Sequence, residues 1–428
     1  LTALSPKAFP TPKEWPSLAP IFAENLRYQK GIPFDADVTP ADIATRGWSL
    51  RDGSTPCPAA VLRAEALAHN LTWMAEFCRL NNVQLAPHGK TTMAPQLFAA
   101  QQLSGAWGLT VATPLQAVVA HRFGIKKLLI ANQVGDKIGV KALADILAKD
   151  AEAEIMVLAD SIEGVALLSG PRQRPIGVLV EVGYQGGRTG CRTDEQALAV
   201  ARAAAKAEGL FLAGVECYEG MLSDLAAVDD LLNRMIALAE TAAAEGLFQD
   251  RIVVSAGGST YFDLVARTMG KAHLPEVLPI LRSGCYVTQD SGTYERAFAD
   301  LIKRGAVKLP DGPGLQPALE VWANLQSRPE PGLAFLTAGK RDLSYDDHLP
   351  RPLRWWNGKS VQAMPDSSKI KGLNDQHGHL VIPADWPGKV GDRVILGISH
   401  PCTTFDKWPV LLVVDKDDKI VGAVRTFF

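Results

Sequence analysis

The chain has 428 residues, 47% of them hydrophobic and 21% charged, with a formal net charge of −2, which suits a barrel plus a smaller domain in an ordinary globular protein. No basic excess points to nucleic acid, and no uninterrupted apolar run of roughly 20 residues points to a membrane span. Residues 1–20 carry five prolines and no signal-like apolar core, so a cytoplasmic location is expected.

Residues 1–56 are rich in Pro and Trp and read as an extended N-terminal arm with one or two short helices, around residues 19–29. A strand follows at 59–62, then a helix over 64–80 with Leu67, Leu71, Met74 and Phe77 on one face. From Val83 to about Tyr286, apolar runs of five to seven residues alternate with helical stretches, the pattern of βα units around a parallel sheet. The strands fall at 83–86, 107–112, 127–131, 155–159, 176–182, 212–216, 252–255 and 277–281. Eight such units predict a (β/α)8 TIM-type barrel within residues 57–306, beginning at the strand that carries Lys90. An open doubly wound sheet is the alternative, but no G-x-G-x-x-G follows the first strand. The strand at 59–62 is left over and is assigned to a second domain. After Gly305 strand-like runs take over at 318–325, 333–337, 361–364, 379–382, 393–398, 410–414 and 420–425, with a hairpin turn at Asp415–Lys419. Residues 307–428 are therefore expected to form a C-terminal antiparallel β domain, giving an α/β plus β chain.

In a barrel of this kind the chemistry sits at the carboxyl ends of the strands. The first strand ends Pro87-His88-Gly89-Lys90; a desolvated lysine there can join an aldehyde covalently, although a solvated lysine at a helix start would look the same. The third strand delivers Asn132 and Gln133, and the sixth Glu216, Cys217, Tyr218 and Glu219. The fifth runs into a glycine-rich loop, Gly183 to Gly190, holding Arg188, which is either a surface residue or a fork aimed at a ligand acceptor. The seventh ends Ser255-Ala256-Gly257-Gly258-Ser259-Thr260, whose N–H groups and hydroxyls suit a phosphate monoester or a tight capped turn. Gly284-Cys285-Tyr286 after the eighth strand could form the other side of that cradle. A lysine, a phosphate cradle and an arginine on one barrel face together suggest pyridoxal 5′-phosphate.

Six cysteines stand singly at 57, 78, 191, 217, 285 and 402, which excludes a disulfide framework or a CxxC metal site. Five read as small buried hydrophobes. Cys402 sits in Ser399-His400-Pro401-Cys402, where two ligands of borderline softness, two apart on a segment read as extended, suit zinc with open coordination positions. A buried cysteine at a strand end is the alternative.

Together these residues resemble the fold-type III pyridoxal-phosphate enzymes of the D-serine dehydratase and D-threonine aldolase family, over roughly residues 56–428. The resemblance rests on Pro87-His88-Gly89-Lys90-Thr91, Ile130-Ala131-Asn132-Gln133, the Gly183–Gly190 loop, Ser255–Thr260 and His400-Pro401-Cys402. It implies an alanine racemase-type barrel and a homodimer acting on a D-amino acid. It makes Lys90, His88 and Tyr218 catalytic candidates, with Lys90 bound to the cofactor aldehyde and Arg188 at its ring nitrogen. Asn132, Gln133 and Tyr218 would lie near the cofactor, and Ser255, Gly257, Gly258, Ser259, Thr260, Gly284, Cys285 and Tyr286 around its phosphate. His400 and Cys402 would hold Zn2+, or Mn2+ or another divalent metal. The His-x-Cys form resembles the zinc-dependent dehydratases, which turn D-serine or related D-β-hydroxy amino acids into a 2-oxo acid and ammonia; related aldolases tend to carry His-x-Asp. A racemase would have no use for the metal pair, and a non-enzymatic carrier of the cofactor would resemble the bare barrel. The arm and the segment 341–371 exceed what compact members need.

Overall fold

The apolar runs of the first two thirds fold as eight parallel strands. The computed structural model describes residues 9–272, 274 and 276–428, so the first eight residues of the expected arm lie outside the described residues. After β1 (Ala59–Arg63) come β2 (Gln84–Leu85), β3 (Leu109–Val111), β4 (Lys127–Gln133), β5 (Glu154–Ala159), β6 (Ile176–Val182), β7 (Leu210–Cys217), β8 (Ile252–Ala256) and β9 (Val277–Leu281). They form one parallel sheet in the order β2-β9-β8-β7-β6-β5-β4-β3. At the seam between β2 and β3, Trp107 N–H donates to Leu85 O at 2.7 Å and Thr110 N–H to Pro87 O at 3.0 Å, which brings the ring nearly to closure. β2 is shorter than its apolar run because Pro87 has no N–H to give the ladder.

Ala86, Leu129, Met156, Leu158, Leu179, Ala213, Val253 and Ile280 fill the interior of the ring. Their neighbours Leu128, Ile130, Val157, Val178, Leu212 and Val254 face outward into the core beneath the helices. Burial on both faces is why these strands read as continuous apolar runs rather than alternating ones. Thr113, Asp136, Ser161 and Thr193 each accept an N–H from the first turn of the following helix, and Thr193 completes a capping box with Gln196. Each such cap stabilises its helix start by about 1 kcal/mol. Thr113 and Ser161 at the strand ends are thus helix caps.

The second domain contains β10 (Leu319–Glu330), β11 (Leu333–Leu336), β12 (Arg351–Trp356), β13 (Val361–Ala363), β14 (Lys369–Leu373), β15 (Gly378–Val381), β16 (Arg393–Gly397), β17 (Val410–Val414) and β18 (Ile420–Arg425). β1 lies between β10 (antiparallel) and β17 (parallel), as expected from its exclusion from the ring. β12 and β14 were not legible in the sequence: one contains Pro352 and two arginines, the other two lysines and Gly372. They pair with β16 and β15, so segment 341–371 contributes to the sheet rather than looping out of it.

The described part of the arm is not extended free of the body. Leu26, Ile32, Val38, Ile43 and Leu50 are buried against Trp322, Ile395, Leu412 and Ile420 on one face of the β sheet. Leu18 and Ile21 pack on Ala99 and Phe123 of the barrel. The helix expected near 19–29 is confined to Ala19–Phe22, because the Asn25 side chain accepts the Arg27 N–H and turns the chain. Among the described residues no helix is long and apolar enough to cross a membrane.

Candidate active site

A cavity of about 230 Å³ opens at the carboxyl ends of the strands. Its lining includes His88, Lys90, Asn132, Arg188, Tyr218, Gly257 and Gly258 from the sequence-derived set, joined by Glu181, Glu216 and Arg282. Lys90 sits in the single turn Gly89–Thr91 that follows β2. That turn presses so closely on the barrel that a Cβ at Gly89 would meet Leu109 and Phe98 at 2.9 Å. Lys90 itself remains exposed, so this chain alone does not supply the desolvation expected of it. His88 Nδ1 is buried with no hydrogen-bond partner. Burial, and then the positive charges of Lys90, Arg282 and Arg188, hold its pKa well below the ordinary histidine value, so the ring is neutral at neutral pH.

Arg188 stacks over the Tyr218 ring, 4.6 Å from its centroid. Its loop is clamped by Arg192, whose guanidinium donates to the carbonyls of Gly187, Arg188, Thr189 and Gly190 at 2.8–3.0 Å. Gly190 has φ +95°, and a Cβ there would meet Gly183 N at 2.6 Å, so only glycine fits the loop's return. Below the loop, Glu181 accepts from Thr189 Oγ1 (2.7 Å) and from Gln133 Nε2, which turns Gln133 toward that carboxylate. Arg282, 5% exposed, makes a close ion pair with Glu216 at 2.6 Å and donates to Cys217 O and Ser255 Oγ. Burial outweighs that cation and raises the Glu216 carboxyl to about 8; neither of its oxygens has an aligned hydrogen-bond donor. Polar atoms left unmatched around a cavity are the mark of a site shaped for a polar ligand.

The phosphate cradle differs in detail from expectation. The N–H groups of Gly257 and Gly258 donate to the buried Glu219 carboxylate at 3.2 and 3.0 Å, so they are already engaged. Ser255 Oγ is turned inward, donating to Ile280 O. Tyr286 points away from the cavity, into the layer of Leu71, Cys78 and Gln101, because its large ring is buried under the helices. The backbone N–H groups of Ser259, Thr260, Gly284 and Cys285 make no hydrogen bond among the described residues and form the open part of the cradle. A Cβ on Gly284 would lie 2.5 Å from His88 O, which keeps this turn against the Lys90 segment.

His400 and Cys402 are not on an extended segment. Pro401 directs the chain into a short helix, Cys402–Phe405, and His400 takes φ +62°, a conformation costly for a non-glycine residue. Asp290 holds it there: one oxygen accepts the His400 N–H at 2.9 Å, while the other caps the helix Thr293–Arg304. His400 Nδ1 bonds Asp346 at 2.6 Å, and Asp346 also accepts from Thr403 Oγ1. Cys402 Sγ lies 3.5 Å from Thr91 Oγ1, beside Lys90, and 3.7 Å from Cys285 Sγ. The donor chemistry fits a divalent metal of borderline softness: thiols, and an imidazole whose Nε2 is left free by a carboxylate on the other nitrogen. Among the described residues no three His, Cys, Asp or Glu side chains already surround one point, so the donors would have to close on a bound metal.

Sequence reasoning reached Arg282 and Glu219 only as residues at strand ends, with no role given to either, and it missed Arg192, Asp290 and Asp346. Arg282 carried a signal, since it follows a buried strand in the same position as the other site residues. Asp346 carried none, because its partner is 54 positions away.

Two family models match the chain: "Alanine racemase, N-terminal domain" over residues 62–279, just over half of it, and "Putative serine dehydratase domain" over 318–414. The chain is 27% identical to a 3-hydroxy-D-aspartate aldolase of Paracoccus denitrificans, over 86% of this chain and 90% of that one. It is 25% identical to a D-threo-3-hydroxyaspartate dehydratase of Delftia, over 86% and 96%. Among solved structures, D-threonine aldolase from Filomicrobium marinum superposes with a TM-score of 0.72 at 24% identity, covering 89% of this chain and 97% of that one. A D-threo-3-hydroxyaspartate dehydratase has also been solved as two single variants, one with a histidine and the other with a cysteine two residues further on replaced by alanine, the latter in a metal-free form.

Proposed function

The chain belongs to the alanine racemase N-terminal domain family of fold-type III pyridoxal-phosphate enzymes, and from that premise we propose that it is a lyase that dehydrates D-β-hydroxy amino acids to a 2-oxo acid and ammonia. The observation that carries the reading is the approach of Cys402 Sγ to Thr91 Oγ1, at 3.5 Å, which brings the His400/Cys402 loop of the β domain beside Lys90. A racemase or a carrier of the cofactor has no use for that approach.

Pyridoxal phosphate, when bound, supplies an electron sink for the α-carbon, and a divalent metal supplies a Lewis acid for the β-hydroxyl. Lys90 Nζ is the amine that would hold the cofactor aldehyde, and the same amine would be the base for the α-proton of a bound substrate. His88, kept neutral, adds no positive charge beside that amine. Arg188 would face the ring nitrogen of the bound cofactor, with Arg282 lining the same cavity, and a permanently charged guanidinium there would disfavour protonation of that nitrogen. The open N–H groups of Ser259, Thr260, Gly284 and Cys285 hold the phosphate. His400 and Cys402 bind Zn2+ in preference to a harder ion, since thiolate is a soft ligand. The substrate class extends from D-serine to larger β-hydroxy acids such as 3-hydroxy-D-aspartate, on which two of the relatives act. A second copy of the chain is proposed to cover the cavity mouth, because Lys90 is exposed and Leu115, Ile138 and Met221 near the starts of the surrounding helices are 60–83% exposed.

The test is to load the purified protein with pyridoxal phosphate and Zn2+ and offer D-serine, D-threonine and D-threo-3-hydroxyaspartate. A 2-oxo acid and ammonia are expected, lost on chelation. Glycine and an aldehyde would select the aldolase reading, which the Paracoccus relative favours. No product from any D-β-hydroxy amino acid would sink both.

A further inference from the structure

We propose that Cys285 is a third protein ligand of the metal, so that the site is His400, Cys402 and Cys285 rather than a His-x-Cys pair alone; this rests on the metal reading above. Cys285 comes from the barrel, in the single turn Cys285–Val287 after β9, and Cys402 from the β domain, 117 positions later. Nothing in their sequence spacing brings them together, yet their sulfurs stand 3.7 Å apart, with Cys285 only 5% exposed. Two thiolates on one tetrahedral zinc, each at about 2.3 Å, are separated by roughly 3.8 Å. The observed spacing is therefore that of two corners of a zinc tetrahedron, while a disulfide would need about 2.05 Å.

The surroundings point the same way. Thr91 Oγ1 lies within 3.5 Å of one sulfur and 3.7 Å of the other, so both thiols face a single small space beside the Lys90 turn. His400 offers the remaining donor: Asp346 occupies its Nδ1 and leaves Nε2 for a metal, and the three donors would close on the ion as it binds, since among the described residues they do not already surround one point. Asp290 anchors the His400 backbone to the same barrel segment that carries Cys285. Three protein donors leave one position of a tetrahedron for the substrate hydroxyl, the arrangement of a catalytic rather than a structural zinc. On binding, the two thiols lose their protons to solvent, so uptake of one metal ion releases about two protons. Cys285 would thus serve both halves of the site, its backbone N–H toward the phosphate and its sulfur toward the metal.

Cobalt(II) is the probe. Metal-free protein that retains pyridoxal phosphate is titrated with Co2+, and the difference spectrum is read for the thiolate-to-cobalt charge-transfer band, whose intensity follows the number of bound sulfurs. Cys285→Ser is expected to halve that band and weaken Co2+ binding at least ~10-fold; Cys402→Ala should do the same. X-ray absorption at the zinc edge of the wild-type protein should count two sulfur neighbours, a readout that does not depend on how a variant folds. One sulfur neighbour, or a Cys285→Ser band equal to wild type, overturns the proposal and leaves the His400/Cys402 site standing. No charge-transfer band in the wild type overturns this proposal and the metal reading together.

Discussion

The two halves of the site are built in opposite ways. Around the barrel cavity the lining residues stand at the ends of parallel strands or on the turns and loops that follow them, so their place follows from the barrel's order. Around His400 and Cys402 the contacts join residues 54, 110 and 117 positions apart: His400 with Asp346, His400 with Asp290, and Cys285 with Cys402. A barrel site is legible because its geometry repeats every βα unit, whereas a site at a domain junction depends on how two folds dock.

Substitutions can break that comparison from either side. The largest effect is expected for Lys90→Ala, which should abolish covalent retention of the cofactor and lower turnover by at least ~10³-fold, measured by absorbance and product formation. Metal content should be unchanged if the halves are independent. Asp346→Asn should weaken metal affinity by ~10–100-fold in a competition assay with a chelator, leaving the cofactor spectrum intact. Arg192→Ala removes four carbonyl contacts from the Arg188 loop and should weaken pyridoxal phosphate binding roughly tenfold. Arg192→Lys should not rescue it, because an ammonium cannot span the set of acceptors.

The smallest effect is on stability. His88 has a folded-state pKa depressed below its unfolded value, so its contribution is present above about 6.5 and is lost as pH falls below that point. The metal- and cofactor-free protein should lose about 1 kcal/mol between pH 6.5 and 5.5 by denaturant titration. His88→Asn should flatten that slope, and an unchanged slope would show that the ring is solvated.

The same contrast explains what could be read from the chain. The eight barrel strands, the exclusion of β1 from the ring, and Lys90, Arg188 and Tyr218 at the cavity were all legible, because burial on both faces writes itself as apolar runs. The side a residue faces after its strand ends was not: Tyr286 follows Cys285 directly, yet its ring goes under the helices while the thiol goes to the domain junction. Gly257 and Gly258 looked open because the sequence could not tell that Glu219, 38 and 39 positions earlier, folds back to accept both N–H groups. His400 and Cys402 were legible as a pair of donor types, but Pro401 bends their segment into a helix rather than holding it straight. β12 was hidden by Pro352 and two arginines on a strand paired with β16 and β13.

The central claim is that the amine of residue 90 carries the cofactor. Borohydride reduction of the pyridoxal-phosphate-loaded protein, followed by proteolysis and mass mapping, tests it most directly. The account predicts a pyridoxyl phosphate adduct on the peptide containing Lys90; an adduct on a different lysine, or none, would contradict it.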